Sequence, residues 1–255
     1  MEKITSLQNN KIKETAKLKE KKYREQTNTY LVEGYHLVEE ALKHGLLKEV
    51  YILDIDAIDI KNYQSVNIYI VTKEIIKKLS NVVTTQGIIG VVEKCKNYIS
   101  KDFKKIIVLD NIQDPGNLGT IIRTSAALGM DAVILTSDTV DAYNDKVVRA
   151  TQGALFKIPV IIEEKGKIIN CLKNNDSDIV VSSLDAKRTL DEVIPTSVFA
   201  IIVGNEANGV SKEFLNNATT SVIIPMHNDV ESLNVAVASS ILMSVSYTHL
   251  RAHET

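Results

Sequence analysis

Five short, unbroken apolar runs dominate the second half of the chain: Ile106-Ile-Val-Leu109, Ala132-Val-Ile-Leu135, Ile179-Val-Val181, Phe199-Ala-Ile-Ile-Val203 and Val222-Ile-Ile224. A strand with one face in water alternates apolar and polar residues, whereas a strand apolar at every position is buried on both faces. Both faces are covered when helices pack above and below a sheet. The stretches between the runs, such as Asn117 to Leu128 and Lys212 to Asn216, read as those helices. The second half is therefore expected to be an α/β domain on a mostly parallel sheet.

The first half is patterned differently. Ile12 to Lys22 has weak helical periodicity, and Thr29 to Gly34 reads as a short strand ended by glycine. His36 to Lys43 is a predicted helix with Leu37, Val38, Ala41 and Leu42 on one side. Val50 to Leu53, Val66 to Val71 and Gly87 to Val92 read as strands, with a short helix over Lys73 to Leu79. This is a compact α/β module ending near Lys94. The polar stretch from Asn97 to Lys105 is a natural linker, so the expected division is 1–96, linker 97–105, and 106–244.

Composition narrows the function classes. At 255 residues, 44% hydrophobic and 24% charged, the chain is an ordinary globular one. No apolar run approaches the roughly 18 to 20 residues of a membrane span, and the first twenty residues lack the apolar core of a signal peptide. A cytoplasmic location without membrane association is expected. Cys95 and Cys171 are the only cysteines and belong to no CxxC or Cys/His cluster, which argues against structural zinc and a disulfide framework. Net charge is −2, yet residues 1–30 hold seven Lys and Arg24 against four Glu. Lys11, Lys13, Lys17, Lys19, Lys21, Lys22 and Arg24 suit either a phosphate-facing surface or a solvated helix with Glu/Lys pairs. Charge alone does not choose between them.

Ligands of open α/β sheets bind where loops leave the carboxyl ends of the strands. Three loops of unusual composition sit at such places. The first, Asp110 to Arg123, has a Pro115-Gly116 turn, with Asn117 as the expected N-cap of the following helix. Leu118, Ile121, Ile122 and Ser125 share the core side, while Arg123 escapes it with small neighbours at Gly119 and Thr120. An arginine in open space at a sheet edge suits a phosphate or a developing oxyanion, although a lone surface arginine also exists simply solvated. The second loop, Gly204-Asn-Glu-Ala-Asn-Gly209-Val-Ser211, imitates the glycine spacing of a phosphate loop. Val210 replaces the lysine and Glu206 adds a negative charge, so an ATPase reading fails. The third loop runs from Pro225 to Ser232. From Ser232 onward the residues are small or apolar nearly all round, which predicts a helix buried on every side, with Ser232 as its N-cap or as a site hydroxyl.

Taken together, the loops resemble the three signature motifs of the SpoU/TrmH family of SPOUT RNA methyltransferases. The matches are N-x-G-x-x-x-R (Asn117, Gly119, Arg123), G-N-E-x-x-G (Gly204, Asn205, Glu206, Gly209) and I-P-M…S-L-N-V-A (Ile224, Pro225, Met226, Ser232 to Ala236). The resemblance covers about residues 105–244. The first module, with Leu31 to Gly34 and Leu37 to Ala41, is similar to the family's ribosomal-protein-like RNA-binding domain. The resemblance implies a SPOUT-type α/β sheet with a C-terminal trefoil knot, an exception to the usual absence of threaded chains. It implies S-adenosylmethionine held near Gly204, Ile224, Met226 and Leu233, a homodimer, and methylation of a ribose 2′-hydroxyl in RNA, ribosomal before transfer RNA. A sulfonium methyl is already electrophilic, so no metal is needed. Arg123 would be the central catalytic residue, with Asn117, Glu206, Ser232 and Asn234 orienting it and the ribose. A guanidinium keeps its proton in nearly all proteins, so Arg123 fits a donor to the developing alkoxide better than a base. A catalytically silent RNA-binding scaffold and a base-nitrogen methyltransferase are the alternatives. Val245 to Thr255 resembles the translation of a sequencing adapter, so the authentic sequence is expected to run only to about Ser244.

Overall fold

The computed structural model describes residues 1–95, 97–193, 196–228 and 230–253, with only the helical backbone described over 247–253. In chain order the elements begin β1 (Glu2–Ile4), α1 (Asn10–Lys17), α2 (Lys21–Thr27), β2 (Thr29–Glu33), α3 (Tyr35–Lys43) and β3 (Leu47–Ile52). They continue with β4 (Asn67–Val71), α4 (Lys73–Leu79), β5 (Ile88–Glu93), β6 (Lys105–Asp110), α5 (Pro115–Ala127) and β7 (Ala132–Thr136). Then follow α6 (Asp145–Thr151), β8 (Val160–Glu163), α7 (Lys165–Asn174), β9 (Asp178–Ser182) and β10 (Arg188–Thr189). The chain ends with β11 (Phe199–Gly204), α8 (Lys212–Leu215), β12 (Thr220–Ile223) and α9 (Val235–His253). None of the described helices is long and apolar enough to cross a membrane.

These elements form two compact units, Met1–Lys96 with Tyr143–Phe156, and Asn97–Ala142 with Lys157–Thr255. In the first unit a five-stranded mixed sheet has the order β1-β4-β3-β5-β2. Ile12, Ile75, Ile76 and Leu79 from α1 and α4 pack on Tyr51, Ile89 and Val91, and α6 packs against β2. Burying each such side chain stabilises the unit by roughly 1.5–3 kcal/mol.

The basic N-terminal segment is divided in its commitments. Arg24 is only 5% exposed, and its guanidinium donates to the carbonyls of Leu18 (2.9 Å) and Lys19 (2.6 Å) where the chain turns from α1 into α2. It is a structural clasp rather than a phosphate contact, because a buried guanidinium must find acceptors inside the protein. Lys11 pairs with Glu49, Lys17 with Glu14 and Lys21 with Glu25, while Lys19 donates to the Ser80 carbonyl. Lys13 and Lys22 are exposed.

The second unit is the parallel sheet read from the apolar runs. Its order is β10-β12-β9-β11-β6-β7-β8, and every strand pair in it is parallel. On one face Ile106, Val108, Ile134, Val181, Ala200 and Ile202 pack with Ile168, Ile169 and Leu172 of α7 and Phe214 of α8. Alternate residues of the same strands point the other way; α5 lies against β7, and α9 against β11. The segment expected as a linker ends earlier than Lys105, which already belongs to β6, and Ile99 and Phe103 pack on this core. With all strands parallel, their carboxyl ends share one edge, and that edge carries all three unusual loops.

Candidate functional site

The start of α5 is set by Asp114, not Asn117. Asp114 is the N-cap, its carboxylate accepting from the Asn117 amide N–H at 2.7 Å, and Pro115 and Gly116 are already the first helical residues. Aspartate there serves the exposed N–H groups better than the neutral asparagine, and proline at the first position has no N–H to satisfy. The consequence for the site is that the Asn117 side chain is released from capping. Its Nδ2 donates instead to Glu206 Oε1 at 2.9 Å.

Glu206 reaches that position because its loop is folded tightly about Asn205. The Asn205 Oδ1 accepts from the backbone N–H of Ala207 (2.9 Å) and Asn208 (3.2 Å), and the Asn205 carbonyl accepts from Gly209 N–H (2.9 Å). Asn205 Nδ2 donates to the Asn111 carbonyl at 2.9 Å, tying the loop to the end of β6. Gly204 has no room for a side chain: a Cβ there would lie 2.2 Å from the carbonyl of Gly209. Gly209 itself has φ +67°, a conformation that favours glycine.

The third strand-end loop delivers Asn234, and here too the expected cap is displaced, this time by two residues toward the C-terminus. Helix α9 starts at Val235, and Asn234 Oδ1 accepts from the N–H of Ala236 (2.9 Å) and Val237 (3.3 Å). Asn234 Nδ2 then donates to Asn117 Oδ1 at 3.0 Å. Glu206, Asn117 and Asn234 thus form one hydrogen-bonded chain whose links span 89 and 117 residues of sequence. Each amide uses both ends, and the carboxylate terminates the chain as an acceptor.

The other expected site residues take separate places. Ser232 is exposed, and its hydroxyl makes no hydrogen bond among the described residues. Arg123 is exposed on α5, six residues and so about 9 Å of helix rise beyond Asn117. No described side chain bonds its guanidinium, so the donors stay available at the sheet edge. Gly204 ends β11 and Ile224 follows β12, and these strands flank β9, so the two residues sit on one edge roughly 10 Å apart. Ile224, Met226 and Leu233 are all half-buried. Asp229 lies outside the described residues.

Helix α9 is not buried all round. Val235, Ala236, Ser239, Leu242 and Met243 face inward, but Val237 is 49% exposed. Its serines dispose of their hydroxyls locally, Ser239 and Ser240 each donating to the carbonyl four residues back at 2.7 Å. The Ser125 hydroxyl of α5, which donates to Ile121, lies 3.4 Å from Met243 Sδ. The segment read as adapter-like, Val245 to Thr255, continues α9 to His253; Glu254 and Thr255 lie outside the described residues.

Sequence reasoning passed over a polar cluster on the same edge. Asp110, the last residue of β6, is 1% exposed; its Oδ2 accepts from Ser211 N–H at 2.7 Å and its Oδ1 pairs with Lys165 Nζ at 2.8 Å. Lys165 Nζ also lies 3.4 Å from Asp138 Oδ2. The Thr136 hydroxyl donates to Asp138 and accepts from Asn111 N–H at 2.9 Å. Burial alone would lower the pKa of Lys165, but the two carboxylates outweigh it and raise the value. A cavity of about 290 Å³ opens beside this cluster, lined by Asp138, Glu164, Lys165 and Glu213, and includes none of the three hydrogen-bonded site residues. An aspartate closing an apolar strand was the available signal for Asp110.

Residues 104–244 match the model of the SpoU rRNA Methylase family, and residues 9–90 match the MRM3-like substrate binding domain. The chain is similar to the 23S rRNA (guanosine(2553)-2'-O)-methyltransferase RlmP of Bacillus subtilis, at 37% identity over 95% of this chain and 98% of that protein. It is also similar to an uncharacterized tRNA/rRNA methyltransferase of Synechocystis, at 32% identity over 94% and 91% of the two chains. Among solved structures, the AdoMet-bound rRNA methyltransferase from Sinorhizobium meliloti has a TM-score of 0.89 and 27% identity, covering 97% of this chain and 98% of the other.

Proposed function

The chain belongs to the SpoU rRNA methylase family, and on that footing we propose how its three strand-end loops divide the work of the reaction. It is an S-adenosylmethionine-dependent methyltransferase that modifies a ribose 2′-hydroxyl of ribosomal RNA. The observation that carries the assignment of residues is the Glu206–Asn117–Asn234 chain, which joins one residue from each motif.

The donor set suits a sulfonium cofactor. Glu206 is the sole charged side chain between Gly204 and Ser211, and no lysine or arginine occurs from Val222 to Val235. These two loops, neutral to acidic, favour a cation and disfavour a phosphate between them. Gly204, Ile224, Met226 and Leu233 would hold the cofactor, which when bound supplies a methyl group already activated by its positive sulfur. What remains for the protein is to place the 2′-oxygen in line and stabilise it as its proton leaves. Arg123, with its guanidinium unengaged, grips the neighbouring phosphate and donates to the developing alkoxide. Asn117 is held rigid by its two partners and presents the ribose side of the site at the start of α5. Asn234 fixes the start of α9 against it, and the Ser232 hydroxyl faces solvent where substrate enters.

The N-terminal unit binds the RNA, with Lys13 and Lys22 among its exposed cations. The segment from Ile224 through α9 is threaded as a trefoil knot, and the protein works as a cytoplasmic homodimer; the resemblance of all three motifs supports this reading. The test is direct. Ribosomal RNA from cells lacking the protein is incubated with purified enzyme and S-adenosylmethionine, and 2′-O-methyl positions are mapped. One new 2′-O-methyl nucleotide is expected. A methyl on a base nitrogen, or no product and no heat of cofactor binding, overturns the reading.

A further inference from the structure

We propose that Asp110 and Lys165 are positioning residues for the methyl transfer, a latch that holds the loop 204–211 so that Glu206 meets Asn117; the proposal rests on the methyltransferase reading above. The loop carrying Glu206 is anchored to the end of β6 at two points only a residue apart, Asn205 Nδ2 on the Asn111 carbonyl and Ser211 N–H on the Asp110 carboxylate. Both anchors depend on the same small network. Asn111 has φ +59°, an uncommon conformation for a residue with a side chain, and its N–H is held by Thr136. Asp110 is fully buried and charged, and the ammonium of Lys165 is its counter-ion. Lys165 stands at the first position of α7, which packs on the sheet face through Ile168 and Ile169, so its backbone is fixed to the sheet. Asp138 closes the ring by facing Lys165 on one side and Thr136 on the other.

Neither Asp110 nor Lys165 belongs to the Glu206–Asn117–Asn234 chain; the bonds of Asp110 go to Ser211 and Lys165, and Lys165 pairs with Asp110 and Asp138. Their reach into the site is through Ser211 and the backbone of loop 204–211. Removing the ammonium leaves a buried carboxylate without a counter-charge, which the structure relieves by moving the carboxylate or admitting water. Either response loosens Ser211 and shifts Glu206. Displacements of about 1 Å in a group that positions a reacting centre lower rates by up to roughly 10²-fold.

The experiment compares the wild type with Lys165→Met, Lys165→Arg and the double variant Lys165→Met/Asp110→Asn. Two readouts are taken on the full chain: steady-state methylation of ribosomal RNA, and hydrogen exchange of the backbone amides over 204–211. Lys165→Met is expected to lower kcat about 30-fold, with KM for RNA changed less than threefold, and to speed exchange over 204–211 while leaving β6 and β11 protected. Lys165→Arg restores kcat to within about fivefold of wild type, since it returns the charge. The double variant regains at least tenfold over Lys165→Met, because an amide oxygen still accepts from Ser211 and no buried charge is left unpaired, Asp138 being solvent-exposed. Unchanged kcat in Lys165→Met overturns the proposal. So does a lower melting temperature with exchange over 204–211 unaltered, which would make the pair merely structural. If wild-type protein fails to methylate, the methyltransferase reading falls, and exchange over 204–211 alone still decides whether the latch exists.

Discussion

Gly204→Ala tests the tightest packing in the site. The added Cβ would meet the carbonyl carbon and oxygen of Gly209 at 2.2 Å and the amide nitrogen of Val210 at 2.3 Å. Ordinary contact begins near 3.4 Å, so the two backbone segments must part by roughly 1.2 Å. All three opposing atoms are main chain, and none can rotate aside as a side chain would. Overpacking costs about 1–3 kcal/mol where neighbours yield, and here the upper value applies. Parting the segments also breaks the Gly209 N–H bond to the Asn205 carbonyl, a further loss of about 1 kcal/mol. The total of about 4 kcal/mol corresponds to a fall in melting temperature of roughly 8–16 °C for a chain of this size. Scanning calorimetry measures it, with Gly129→Ala as the control. Gly129 has the positive φ (+68°) that Gly204 lacks but nothing within 4 Å, so its alanine should lower the midpoint by only a few degrees. If Gly204→Ala melts no lower than Gly129→Ala, the close approach of Gly204 to Gly209 is wrong.

Three further outcomes are expected. Arg123→Ala should abolish methylation while leaving S-adenosylmethionine affinity within about threefold by calorimetry, since Arg123 serves the ribose side; equal loss of both would refute that placement. Asn117→Asp replaces the donor facing Glu206 with a second carboxylate at the same 2.9 Å separation, and kcat should fall about 10²-fold, with Asn117→Ala less damaging than Asn117→Asp. Lys165 holds its proton more tightly in the folded state than the ordinary value of 10.5, because the attraction of Asp110 and Asp138 exceeds the penalty of burial. Its contribution to stability is therefore complete below about pH 10.5 and lost as pH rises through the folded value. Alkaline melting curves should fall less steeply above that pH in Lys165→Met than in wild type, and parallel curves would contradict the assignment.

What was legible in the sequence follows from how each signal arises. The central strands β6, β7, β9 and β11 announce themselves because burial on both faces makes their middle residues uniformly apolar, with polar residues confined to their ends. The edge strand β8 escaped notice: Val160 and Ile161 are buried, but Ile162 is 49% exposed and Glu163 follows, so the run looks like part of a loop. Helix α7 was hidden by Gly166 and three lysines within its ten residues, although Ile168, Ile169 and Leu172 give it a buried face. Core positions on α5 read correctly from helical spacing, and Leu118, Ile121, Ile122 and Ser125 are all inaccessible.

At the site, the motif resemblance singled out Asn117, Glu206, Ser232 and Asn234 together; the structure bonds three of them to one another and leaves Ser232 apart. The two helix caps were misplaced because Asp114 and Asn234 compete with Asn117 and Ser232 for the same role, and only the backbone geometry selects the winner. At α5 that choice has chemical weight, since Asn117, freed from capping, bonds across the site, whereas at α9 the capping Asn234 does both. Arg24 shows the limit of charge counting. A cation in a basic stretch looks solvent-facing until the turn between α1 and α2 buries it against two carbonyls.

The segment Tyr143–Phe156 belongs to the first unit although it is flanked in sequence by strands of the second. During synthesis the ribosome must translate β6 and β7 before it delivers α6, whose Val147 and Val148 are buried and which packs against β2. The N-terminal unit therefore cannot finish folding when residue 96 emerges, as an ordinary leading domain would. Its maturation is interleaved with that of its successor, and a fragment cut near residue 97 lacks a piece of its own interior.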